Sequence, residues 1–156
     1  MPRRVDAVIV ADNNIPLPKS NNCMTREKFY ESLVFDTTLI NLPSEIKDLN
    51  DPDVLLWVIN NVANNESRFK SSNSYNYCFF VTKDYNFKAD SNFYRYEKYL
   101  RGNCILVVVI IPATEKIQKL NRKNKPSPER RTLNRAQLLN IIINKLNDAW
   151  RNRSPR

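Results

Sequence analysis

A chain of 156 residues, 42% apolar and 26% charged, can bury about two-thirds of the surface its unfolded form exposes, so it reads as one domain over 1–150 with a basic, disordered tail over 151–156. The sequence has no histidine and a single glycine, Gly102, which excludes Ser-His-Asp, Cys-His and histidine-zinc chemistry along with glycine-rich phosphate loops. The net charge of +9 is segregated: residues 1–112 hold 13 Lys+Arg and 13 Asp+Glu, whereas 113–156 hold 12 against 3.

In chain order, Val5 to Ala11 is a continuous apolar run that predicts a strand buried on both faces and delivers Asp12 at its carboxyl end. It is too short for a secretory core and contains Asp6, so a cytoplasmic protein is expected. Pro16 and Pro18 hold the exit of this strand extended. Thr25 is placed to cap a helix over Arg26–Phe35; on it Glu27 and Glu31 read either as solvent-facing partners of Arg26 and Lys28 or as carboxylates reaching the strand ends. Thr37 to Leu42 predicts a short strand, and Ser44 to Leu49 a helical turn. A clear helix runs from Asp51 to about Asn64, with Asp51 as its cap and Pro52 in the first turn, where a missing N–H costs nothing.

Tyr77 to Val81 is the central buried strand, and it ends in Thr82-Lys83-Asp84. Beyond it, Asp90 or Ser91 can cap a helix ending near Arg101, with Gly102 as its left-handed terminator. Its Phe93, Tyr94, Tyr96 and Tyr99, interleaved with Arg95, Lys98 and Arg101, read as core or as a base-stacking platform. Cys104 to Ile111 predicts another interior strand. A helix is expected over Ala113–Leu120, then a basic mobile loop over Asn121–Arg131, then a last helix capped by Thr132 and carrying Leu139, Ile142, Ile143, Leu146 and Trp150. Cys23, Cys78 and Cys104 lack metal-ligand spacing and read as reduced thiols. Alternating apolar strands and helices predict an α/β fold, a three-layer αβα arrangement on a mainly parallel sheet.

Open α/β sheets collect ligands beyond the carboxyl ends of their strands. Asp12 and Asp84, delivered there by two strands, would repel one another unless a cation lay between them, and hard oxygen ligands suit Mg²⁺ or Mn²⁺. The basic segment, with Lys119, Arg122, Lys123, Lys125, Arg130 and Arg131, reads either as a solvated surface or as a face for RNA.

Asp12-Asn13-Asn14-Ile15-Pro16 and Thr82-Lys83-Asp84-Tyr85-Asn86-Phe87, with Asp51 three residues before Val54, resemble motifs of the PIN-like ribonuclease superfamily, which includes VapC-type toxins. In the branch it looks most like, the first strand ends in Asp-Glu-Asn-Leu-Pro and a later one in Thr-Lys/Arg-Asp-x-Asp-Phe. The resemblance spans roughly residues 5 to 111 and implies a PIN-like fold and a metal-dependent endoribonuclease acting on single-stranded or structured RNA. Asp12, Asp51 and Asp84 would be the catalytic and metal-holding acids on Mg²⁺ or Mn²⁺, with Asn13, Thr82, Lys83 and Asn86 in support. It also implies a toxin with an antitoxin protein, and a homodimer, among the candidate partners. Asn13 and Asn86 stand where the family has acids. An amide can ligate a hard cation but brings no charge and no basicity, so the alternative is a catalytically degenerate module that binds nucleic acid or protein. A third reading keeps the strand-end acids for solvation alone.

Overall fold

A computed structural model describes residues 3–16, 18, 24–46, 51–71, 74–84 and 96–153, leaving aside the side chain of Asp51. Four strands form one parallel sheet: β1 Ala7–Ala11, β2 Thr37–Asn41, β3 Asn76–Thr82 and β4 Cys104–Ile110, in the spatial order β2-β1-β3-β4. Every residue of β1 and of β3 is buried, as expected of continuous apolar runs covered on both faces. The sheet reaches one step further at its opposite edge, where Val5 bridges Phe69.

Helix α1, Arg26–Glu31, joins β1 to β2; helix α2, Asp51–Val58, passes through a π-helical turn at Ile59–Ala63 and leads back across to β3. Because crossover connections keep one hand, stepping outward to β2 and then back past β1 puts the two helices on opposite faces. The core divides accordingly. Ala7, Ile9 and Ala11 pack with Phe29, Phe79, Leu139, Ile142 and Leu146, while Val8 and Val10 pack with Val54, Leu55, Val58, Ile59 and Phe80. The first cluster includes the long helix α3, Arg135–Arg151. The α/β fold with helices on both faces of a parallel sheet is therefore as expected.

Several boundaries differ from the sequence reading. The first helix stops at Glu31 instead of Phe35, because Ser32 closes it with its N–H on the carbonyls of Lys28 and Phe29; Thr25 caps it as expected, accepting from the Lys28 N–H at 3.2 Å. Helix α2 opens on Asp51, and the Ser44–Ile46 turn is 3₁₀. Thr132 does not cap α3. Asn134 does, in a reciprocal box where its side chain accepts from the Gln137 N–H at 2.8 Å and Gln137 returns a bond to the Asn134 N–H at 3.0 Å. The Asp90/Ser91 cap and the Phe93–Arg95 part of the aromatic stretch lie outside the described residues. Gly102 takes φ +62, the left-handed position assigned to it.

The largest correction concerns residues 113–132. They form neither a helix nor a mobile loop but an antiparallel hairpin, β5 Thr114–Leu120 and β6 Pro126–Thr132. A helix over TEKIQKL would have only Ile117 and Leu120 to bury, too narrow a stripe to hold it. The turn instead follows from asparagine chemistry. Asn121 Oδ1 accepts from the N–H groups of Lys123 and Lys125, at 2.9 and 3.0 Å, while Asn124 takes φ 59, a left-handed conformation asparagine tolerates. The Asn121 N–H donates to the Lys125 carbonyl at 2.9 Å. That bond makes Asn121/Lys125 a hydrogen-bonded pair, so by alternation Pro126 and Pro128 fall at pairs whose N–H would point away from the partner strand, where proline is tolerated.

Cys78 is fully buried, and burial pushes its thiol far up; Cys104 is pushed up to about 12 by the same cause. Both remain unpaired thiols that carry no thiolate at neutral pH, whereas Cys23 lies outside the described residues. No helix among the described residues is long and apolar enough to cross a membrane.

Candidate active site

Parallel pairing of Ala11 with Val81 carries β1 and β3 to the same height at their carboxyl ends. The Asp12 N–H extends the ladder by one bond, to the Val81 carbonyl at 2.8 Å, so Asp12 stands beside Thr82. The Thr82 side chain has no exposed surface. Its hydroxyl donates to Asp12 Oδ2 at 2.8 Å and accepts from the Asp84 N–H at 3.0 Å. One buried hydroxyl thus uses its proton on the first acid and a lone pair on the backbone of the second. The Thr82 carbonyl accepts from the Ile111 N–H at 2.8 Å, which ties the same residue to the strand on its other side.

The second oxygen of Asp12 accepts from the Asn13 N–H at 2.8 Å, and the Ile15 N–H closes a turn on the Asp12 carbonyl at 3.0 Å. Among the described residues, each Asp12 oxygen accepts one hydrogen bond, which leaves it a further lone pair. Asp12, Lys83 and Asp84 are half-buried, and Asn13 is exposed. The two acids are the ends of adjacent strands between which the chain order reverses, since β2 lies on one side of β1 and β3 on the other. A crevice forms at such a reversal because consecutive helices leave for opposite faces.

Helix α2 leads back toward the Val5/Phe69 end of the sheet, so it starts, with Asp51, at the carboxyl edge that holds Asp12 and Asp84. The Asp51 side chain and all of Asn86 lie outside the described part, and among the described residues no group of three acids or thiols converges. Glu27 and Glu31 are exposed on α1. Two grooves lie at the opposite edge. One, of about 380 Å³, includes Asp6, Lys70, Tyr77, Trp150 and Arg153; the other, of about 360 Å³, includes Arg3, Tyr30, Thr37 and Arg68. Neither touches the strand-end acids.

That amino edge holds a cluster the sequence reading missed. Lys70 Nζ lies 2.6 Å from Asp36 and 3.6 Å from Asp6, and Arg3 also pairs with Asp36. The Lys70 ammonium hydrogen-bonded to Asp36 holds that carboxyl below the usual carboxylate range. Asp6 and Asp36 directly precede β1 and β2, and Asp6 accepts from the Asp36 N–H at 3.1 Å, so the cluster closes the strand starts. Only the return of the chain at Lys70 could reveal it.

No protein-family model, no curated protein and no solved structure matches the chain. The site is therefore read from its own geometry. Among the cations assigned to RNA, Lys119 pairs with Glu129 at 3.3 Å and Arg131 pairs with Glu115. Arg122, Lys123 and Lys125 occupy the exposed hairpin turn, and Arg130 is exposed on β6.

Thr82→Val tests the link between the acids. The isostere removes the hydroxyl, and with it the 3.0 Å acceptor of the Asp84 N–H and one of the two hydrogen bonds that hold the Asp12 carboxylate. A loss of about 1–3 kcal/mol is expected in chemical denaturation, from one buried group left unsatisfied. An unchanged midpoint would show that the hydroxyl does not hold the two strand ends.

Proposed function

We propose that the chain is a metal-dependent endoribonuclease of PIN-like fold. The observation that supports it best is the Asp12–Thr82–Asp84 arrangement: two carboxylates at adjacent strand ends, linked through one buried hydroxyl, at the point where the strand order reverses. The donor set is all hard oxygen with lone pairs remaining, which fits Mg²⁺ or Mn²⁺ and not a soft metal. Asp12 and Asp84 would hold the ion, which when bound supplies Lewis acidity toward a phosphate oxygen and lowers the pKa of water.

The protein's own groups do the rest. Thr82 keeps the Asp12 carboxylate aimed by donating a hydrogen bond to its Oδ2 at 2.8 Å. Asp51 accepts the proton of the attacking water, and Lys83 brings a cation to a scissile phosphate. Asn13 and Asn86 offer carbonyl oxygens without charge. The exposed cations of the hairpin that are not paired with its own glutamates, Lys116, Arg122, Lys123, Lys125 and Arg130, neutralise flanking phosphates, and RNA is the substrate. An antitoxin protein would be the regulatory partner if the chain acts as a toxin.

The amides at positions 13 and 86 favour a second reading, a non-catalytic binding module on the same fold. One experiment separates the two. Labelled RNA is incubated with the wild type and with Asn13→Glu/Asn86→Asp, in Mg²⁺, Mn²⁺ or EDTA. Cleavage by the wild type that EDTA abolishes supports the nuclease. An inert wild type beside an active double variant supports the binding module.

A further inference from the structure

The β5–β6 hairpin sorts its charges by face. Directly opposed residues of an antiparallel pair share a face, and successive residues alternate. One face therefore carries the Glu115/Arg131, Ile117/Glu129 and Lys119/Ser127 pairs. Its charges cancel, through the Glu115–Arg131 and Lys119–Glu129 ion pairs, and Glu115, Ile117 and Ser127 are half-buried. The other face carries Lys116/Arg130, Gln118/Pro128 and Leu120/Pro126, all exposed, with no acid.

Lys116 and Arg130 are thus directly opposed, and the turn bond between Asn121 and Lys125 fixes them as a non-hydrogen-bonded pair. Such pairs bring the two Cα atoms to about 4.5 Å, the closer of the two spacings, where like charges destabilise the ribbon. Arg130 has a 3.3 Å contact to the Thr114 hydroxyl, which does nothing to neutralise it. The turn continues the positive field with Arg122, Lys123 and Lys125. A face that opposes two cations and supplies no carboxylate is complementary to an external polyanion.

We infer that this face docks the phosphate backbone of base-paired RNA. The inference rests on the nuclease reading for its choice of nucleic acid and names the substrate's structural class. The ribbon's seven residue pairs extend about 20 Å and contain no aromatic residue from Thr114 to Thr132. Single-stranded RNA is gripped by stacking its bases on aromatic rings, whereas a duplex keeps its bases inside and offers phosphates and sugar hydroxyls. A ribbon with cations and no stacking surface matches the duplex. It positions the substrate without reading sequence. Lys116 and Arg130 are the working cations, and Lys119 and Arg131 are spent on their own glutamates.

The test is fluorescence anisotropy of the full chain with a labelled RNA duplex and a matched single strand, in EDTA so that no cleavage occurs. Two variants lose the same formal charge: Lys116→Ser/Arg130→Ser and Lys119→Ser/Arg131→Ser. The wild type is expected to prefer the duplex. The first variant should bind it at least about tenfold more weakly, with a log–log salt slope flatter by roughly 1.8 for two lost contacts, and the second should change it far less. Equal losses in the two variants would overturn the assignment, as would tighter binding of the single strand or binding of polyglutamate in place of RNA. Duplex binding in EDTA, beside no cleavage of the same RNA when Mg²⁺ or Mn²⁺ is supplied in place of EDTA, would uphold the ribbon and remove the nuclease.

Discussion

Asp84→Asn is expected to abolish metal-dependent RNA cleavage while the chain stays folded. The substitution keeps size and a carbonyl ligand but removes one of the two negative charges at the strand ends, and the charge is what attracts a divalent ion and offsets its dehydration. Metal-ion stabilisation of a phosphoryl transition state is worth several kcal/mol, so a loss on the order of a thousandfold in rate corresponds to about 4 kcal/mol. Asp12 and Thr82 are untouched, and their 2.8 Å hydrogen bond remains to hold β1 to β3. Single-turnover cleavage with Mg²⁺ or Mn²⁺, alongside a thermal melt, checks it. Cleavage that survives both the substitution and EDTA would sink the metal mechanism.

Asn147→Ala is expected to cause the largest loss of stability from a single polar side chain. Asn147 is 7% exposed within α3. Its Oδ1 accepts from the Val34 N–H at 2.9 Å and its Nδ2 donates to the Ser32 carbonyl at 3.0 Å. One amide therefore satisfies both an N–H and a carbonyl of the segment that links α1 to β2. Alanine would leave the two backbone groups without these partners and open a small void. At about 1–3 kcal/mol for each unsatisfied group, the total for two groups is about 2–6 kcal/mol, against a usual domain stability of about 5–15. Denaturant unfolding followed by circular dichroism measures it, and a loss below about 1 kcal/mol would show that water replaces the amide without penalty.

Neither Asn147 nor the Lys70 cluster was legible beforehand, and for the same reason. Asn147 falls between Leu146 and Asp148 on a helix whose apolar stripe is clear, so its polar side chain reads as solvent-facing until the α1–β2 segment is seen to cross it. The hairpin failed differently. Its strands lack the apolar alternation that marks a half-buried sheet, since both faces are largely exposed, and hydrophobic periodicity cannot report an element that buries little. Asparagines at 121 and 124 were the available signal, because asparagine bonds its own turn and tolerates left-handed backbone.

The sequence by itself determined where the four strands fall and that β1 and β3 are interior, because runs such as Val8–Val10 and Tyr77–Val81 need cover on both faces; Cys104–Ile110, expected inside the sheet, is the last strand of the order β2-β1-β3-β4 among the described residues. The sequence also determined that Asp12 and Thr82-Lys83-Asp84 would end two of the strands, and, by having no histidine and only one glycine, what chemistry those ends could not perform. Only the tertiary structure decided that the two strands are neighbours in register, and so that a single hydroxyl reaches the carboxylate of Asp12 and the backbone of Asp84. It alone decided which hairpin cations are neutralised. Strand adjacency and cross-strand pairing join residues distant along the chain; Thr82 and Asp12 are separated by 70 positions, and no local pattern records which of the possible pairings closes.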